Sequence, residues 1–179
     1  MRRAISNITL FDLIALIYVL ASSLVANAQQ QAITGTVSGE RIQKVGFRAM
    51  IQREAIMHNL AGEARNNTDG TVSFKLQGDK DRIAKAVEAM RVGTKKSSTD
   101  NVVNETPVAL NPSLKTFTVF GWTSQSRDIS TPYDFVFTLR DPDTEISKKG
   151  AKAVWNSIAE KTLKGDDLAK FMRHLEEDE

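Results

Sequence analysis

Apolar and polar positions along the chain fall into segments with two different periods. Ile33-Thr34-Gly35-Thr36-Val37-Ser38 alternates and predicts a strand. Gly39 to Gly46 is polar and predicts a loop. From Phe47 to Leu60, the apolar residues Phe47, Met50, Ile51 and Ala55 recur at helical spacing. Asn59 and Gly62 are placed to close that helix, because both tolerate left-handed or turn geometry. Asp69-Gly70 then signals a hairpin, and Val72, Phe74 and Leu76 alternate behind it. A second helix opens at Gly78-Asp79 with Asp79 as N-cap. Its buried face would be Ile83, Ala86, Val87 and Met90, and Gly93 would stop it. After a polar loop at residues 94–100, Val102-Val103 and Phe117 to Val119 are two short strand candidates separated by ETPVALNPSLK.

The order strand, helix, strand, strand, helix, strand is the split βαβ pattern. It predicts an α+β fold over residues 29–125, a ferredoxin-like βαββαβ sandwich with two helices on one face of an antiparallel sheet. Residues 126–179 form a C-terminal extension. YDFVFTLR alternates Phe135 and Phe137 and reads as an edge strand. Ala151, Val154, Trp155, Ile158 and Ala159 make one helical stripe, and Leu168, Phe171, Met172 and Leu175 a shorter one. Packing against the preceding domain, or against a second copy of the chain, would bury these stripes. The pattern leaves the oligomeric state open.

The first 28 residues carry a different signal. Met1-Arg2-Arg3 is basic, Leu13 to Val25 is apolar, and Ala26-Asn27-Ala28 sets small residues before Gln29. That order describes a secretory signal peptide cut after Ala28. The apolar run is shorter than the roughly 20 residues of a membrane span. The expected product is exported, periplasmic or extracellular, with no membrane attachment after cleavage. An uncleaved anchor is the alternative.

Charge and reactive residues narrow the chemistry. Lys and Arg total 24 against 22 Asp and Glu, and no basic stripe or base-stacking aromatic pair appears, so no nucleic-acid partner is expected. With no cysteine, disulfides and thiol nucleophiles are excluded. His58 and His174 have no second ligand at i+3 or i+4, so no metal site is expected. His58 reads as a packing or surface residue and His174 as solvated.

RIQKVGFRAM, residues 41–50, places Arg48 in the first turn of the first helix. A helix N-terminus already carries about half a positive charge and unpaired N–H groups. A cation there is locally unfavourable unless an anion visits. Two readings follow: an oxyanion site, or a solvated arginine in a first turn. Asn66, ahead of the hairpin, likewise has an ordinary reading as a turn former.

RIQKVGFR, HNLAGEARNNTDGTV and the LQG before the second helix resemble the acylphosphatase family over about Ile33 to Val119. Arg48 and Asn66 stand at that family's spacing of its two catalytic residues. The resemblance implies a phosphate-binding role for Arg48 and a water-positioning role for Asn66. It also implies that the loop Gln43, Lys44, Val45, Gly46 and Phe47 cradles the phosphate with backbone amides. The implied reaction is hydrolysis of a small-molecule acyl phosphate to carboxylate and orthophosphate, with no cofactor. The family loop reads Gly-x-Val-Gln-Gly-Val-Gly-Phe-Arg. Here Glu40 and Lys44 replace its first two glycines, with Gly39 one residue early, and Glu63 stands where a tryptophan is common. Lys44 would strain the cradle or add charge to it, and Glu40 would repel phosphate if turned inward. A non-catalytic anion-binding or protein-interaction module on the same fold is the competing function.

Overall fold

The computed structural model describes residues 30–177, with side chains described through Arg173. The expected signal peptide, and the side chains of His174 and Leu175, lie outside the described residues.

Strand β1 (Gln30–Ser38) leads through a loop to helix α1 (Phe47–His58). Strands β2 (Ala61–Asn66) and β3 (Val72–Asp79) form the hairpin, and helix α2 (Lys80–Val92) follows. Then come β4 (Val102–Pro107), β5 (Thr116–Ser124) and β6 (Ile129–Thr138). Helices α3 (Lys148–Thr162) and α4 (Gly165–Glu177) end the described chain.

The strands form one sheet in the order β4-β1-β3-β2-β5-β6. The first four strands with α1 and α2 are the ferredoxin-like unit, as the pattern predicts. The sheet is mixed rather than wholly antiparallel, because β5 runs parallel to β2, Gly62 facing Phe117 and Ala64 facing Val119. The physical reason lies in the two strand candidates after α2. Val102-Val103 opens a mostly exposed edge strand beside β1, whereas Phe117 and Val119 are fully buried. The chain therefore crosses to the opposite edge to bury the second pair. β6 then pairs antiparallel with β5 and becomes that edge.

Local signals set the helix ends. Asn59 takes the left-handed conformation at φ 53° and its N–H caps α1 on the carbonyls of Ala55 and Ile56. Gly62, expected to share that duty, lies inside β2 instead. Its φ is 145°, and a Cβ there would sit 1.8 Å from the Lys75 carbonyl oxygen. Close strand approach requires this glycine. Asp79 caps α2 by accepting from the N–H groups of Asp81 and Arg82.

A single apolar cluster joins Ile33, Ile51, Leu76 and Phe117 to Phe135, Trp155 and Phe171. Helix α3 packs against α1 and β6. Trp122 stacks on Phe135 with centroids 4.7 Å apart, and Trp155 meets Trp122 edge-on at 5.9 Å. Met172, placed on the second stripe by its spacing, is exposed, while Phe171 beside it is buried. The connection from β6 to α3 is fastened to the C-terminal end of α1. His58 Nδ1 lies 2.6 Å from Glu145 Oε1, Asn59 Nδ2 donates to Asp143 Oδ1 at 2.7 Å, and Arg82 Nη1 donates to the same oxygen at 2.6 Å.

Candidate functional site

The loop before α1 alternates in backbone handedness. Lys44 has φ 62° and Gly46 φ 76°, while Val45 between them keeps negative φ. Alternating handedness turns successive backbone N–H groups toward one side, the geometry of an anion nest. Among the described residues, no oxygen accepts from the N–H groups of Lys44, Val45, Gly46 or Phe47. Gly46 caps α1 with no side-chain acceptor, and no acidic residue stands in the first turn. Those amides and the helix dipole thus face the same place.

The loop is held from three sides. Gln43 Nε2 donates to the carbonyls of Asn67 and Thr71, both at 2.8 Å, so its amide is committed to the β2–β3 turn. Thr94 Oγ1 donates to the Val45 carbonyl at 3.2 Å, and Ser98 N–H to the Arg41 carbonyl at 3.2 Å. Phe47 is buried in the core and anchors the helix start. Lys44 and Glu40 are both exposed. Glu40 lines an open hollow with Asp69, Gly70 and Thr71 of the neighbouring turn. Lys44 does occupy a left-handed backbone position, the strain its replacement of glycine implies.

Arg48 is anchored along one edge and open along the other. Its Nη1 donates to the carbonyls of Phe120 at 2.5 Å and Gly121 at 2.8 Å. Among the described residues, nothing accepts from Nη2 or Nε, and no carboxylate comes within ion-pairing distance of the guanidinium. Burial lowers its pKa from the usual arginine value, which reports a desolvated cation without a counter-ion. The Nε–Nη2 edge has the fork geometry that matches two phosphate oxygens.

Asn66 ends β2 opposite Val72. The parallel register with β5 ends at Ala64 opposite Val119, two residues before Asn66. Asn66 shares the face of Ala64, which is buried beneath the helices. Its side chain makes no hydrogen bond among the described residues. The turn work belongs to Asn67, whose Nδ2 donates to Thr71 Oγ1 at 2.8 Å and whose Oδ1 accepts from Ser73 at 3.1 Å. Asn66 directly precedes Asn67, whose carbonyl holds Gln43. The nest, Arg48 and Asn66 all lie at one end of the sheet. Sequence reasoning missed the carbonyls of Phe120 and Gly121. A lone glycine in a strand hints at a bulge, but not at which side chain its carbonyl meets.

The acylphosphatase family model matches residues 25–119, and the chain belongs to that family. Acylphosphatase from Chlorobaculum tepidum is 39% identical over 61 residues, covering 34% of this chain and 66% of the relative. Acylphosphatase from Geobacillus kaustophilus is 39% identical over 54 residues, covering 30% of this chain and 57% of the relative. The match thus spans less than two thirds of either protein. A solved acylphosphatase from Coxiella burnetii superposes with TM-score 0.47 at 26% identity, covering 52% of this chain and 96% of the other.

Proposed function

We propose that the chain hydrolyses acyl phosphates to carboxylate and orthophosphate. One observation carries the reading: loop amides with no protein acceptor, an anchored guanidinium with a free edge and an uncommitted asparagine lie at one end of the sheet. Membership in the acylphosphatase family and relatives named acylphosphatase support it.

The chemistry asks little more of the protein. An acyl phosphate is a mixed anhydride whose carboxylate leaves without needing a proton. Arg48 and the loop amides stabilise the phosphoryl oxygens as charge redistributes in the transition state. Asn66 holds a water in line with the phosphorus. The water oxygen bonds to phosphorus, the bond to the acyl oxygen breaks, and a phosphoryl oxygen takes the water's proton. No protein base is required. The basic, apolar and Ala-x-Ala order of residues 1–28 supports a periplasmic or extracellular setting for the reaction.

A second reading, a non-catalytic anion-binding or interaction module, draws on Lys44 at a left-handed position and on Glu40 in place of a loop glycine. Benzoyl phosphate separates the two. The first reading expects the purified full chain to release orthophosphate catalytically. Phosphate binding without release would overturn it in favour of the module.

A further inference from the structure

We infer that Asp134, in the segment beyond the family-matched residues, is a positioning residue that aims Arg48 at the phosphate. The inference rests on the reading of Arg48 as the phosphate ligand.

The β5–β6 pair is bulged at this point. Val119 faces Phe135 and Trp122 faces Tyr133, so Phe120 and Gly121 stand together opposite Asp134 alone. Gly121 has φ 56°, a left-handed step that glycine accommodates without a Cβ clash. In a regular strand, successive carbonyls point to opposite edges. The left-handed step breaks that alternation and lets the Phe120 and Gly121 carbonyls converge on one nitrogen, Arg48 Nη1.

The Gly121 peptide is fixed from its other side by Asp134, whose Oδ1 accepts the Gly121 N–H at 2.8 Å. A hydrogen-bonded path therefore runs from the Asp134 carboxylate through one residue to the guanidinium. With both Nη1 hydrogens committed to carbonyls, Nη2 and Nε are the donors left for substrate. The bulge thus fixes which edge of Arg48 is presented. Asp134 itself is exposed and outside the apolar core, so packing does not account for it. The family model ends at residue 119, just short of Phe120 and Gly121, and Asp134 lies on the strand added after them. On this account β6 completes the site, in addition to covering the core.

The test is a double-mutant cycle read by calorimetric affinity for inorganic phosphate, using the full chain. Asp134→Ala should weaken phosphate binding about three- to tenfold, the size of one lost hydrogen bond. Asp134→Asn keeps an acceptor oxygen and should restore binding to within about twofold of the parent. In the Arg48→Ala background, Asp134→Ala should change affinity no further. Gly121→Ala provides a second probe, because its Cβ meets nothing within 4 Å while the left-handed φ of 56° strains the bulge itself. It too should weaken binding only when Arg48 is present. The inference is overturned if Asp134→Ala binds phosphate like the parent, or if its effect persists undiminished without Arg48. Because the readout is binding, it remains decisive even if the chain hydrolyses no acyl phosphate.

Discussion

Gln43 and Asn67 are joined by a 2.8 Å hydrogen bond from the side-chain amide of the first to the backbone carbonyl of the second. The bond ties the loop that presents the amide nest to the residue after Asn66. It sets the loop amides and Asn66 in one frame, although they lie on separate elements.

Replacing Gln43 with leucine removes that bond and its companion to Thr71. Each is worth about 0.5–1.5 kcal/mol. Gln43→Leu should lower thermal stability by about 1–3 kcal/mol. It should also reduce kcat for benzoyl phosphate more than it raises KM, because alignment is lost before anion attraction. Steady-state kinetics beside a melting curve would show this, and an unchanged kcat would contradict it.

Lys44 holds a left-handed backbone that costs a side-chain-bearing residue about 1–2 kcal/mol. Glycine relieves the strain but gives back part of the gain in unfolded-chain entropy. Lys44→Gly should therefore stabilise the fold by roughly 0.5–1 kcal/mol. Denaturant titration is the measurement, and a loss of stability would show that the lysine side chain makes a compensating contact.

His58 makes the fold sensitive to pH. Burial opposes its protonation, but hydrogen bonds to Glu54 and Glu145 outweigh burial and raise its pKa above the ordinary 6.5. The stability it contributes is full below about pH 6.5 and is lost as pH rises through its higher folded-state value. Hydrogen bonds from His58 and Lys85 lower the pKa of Glu145 below the ordinary 4.5. Its contribution is present above that value and fades as pH falls through the depressed one. Melting temperature should decline on going from pH 6 to 8, and His58→Gln should flatten the decline. An identical slope in the variant would exclude His58 as its source.

Trp155 joins the extension to the core. It is 2% exposed, packs against Trp122, Phe135 and Phe171, and carries the Arg53 guanidinium 5.5 Å from its ring. Trp155→Ala should cost about 3–5 kcal/mol. Its indole N–H has no acceptor among the described residues, so Trp155→Phe removes an unsatisfied donor along with some area and should cost markedly less. Equal losses in the two variants would contradict this.

Much of this molecule is written in local pattern. Asp79 and Asn59 mark helix ends through their own backbone and side-chain chemistry, and Val72, Phe74 and Leu76 show their face by alternation. Arg48 and Asn66 became candidates through the resemblance of RIQKVGFR and HNLAGEARNNTDGTV to acylphosphatase, while their residue types alone left the ordinary readings open. The crossing from β4 to β5 was not legible, since nothing between Pro107 and Thr116 says which sheet edge the chain will join. The bonds from Arg48 to Phe120 and Gly121 were hidden for a related reason. Backbone carbonyls are the same in every residue, and only a left-handed glycine and a register shift reveal that two of them meet one side chain. The clamp of His58 and Asn59 on Asp143 and Glu145 was equally invisible, being a contact between segments far apart in sequence.

The central claim gives Arg48 the phosphate and Asn66 the water, and one paired measurement on Asn66→Ala tests it most directly. Calorimetric affinity for inorganic phosphate is determined beside turnover of benzoyl phosphate. The account predicts phosphate affinity close to that of the unmutated chain, with turnover lower by on the order of 10²–10³. Loss of phosphate binding in Asn66→Ala, or turnover left intact, would contradict it.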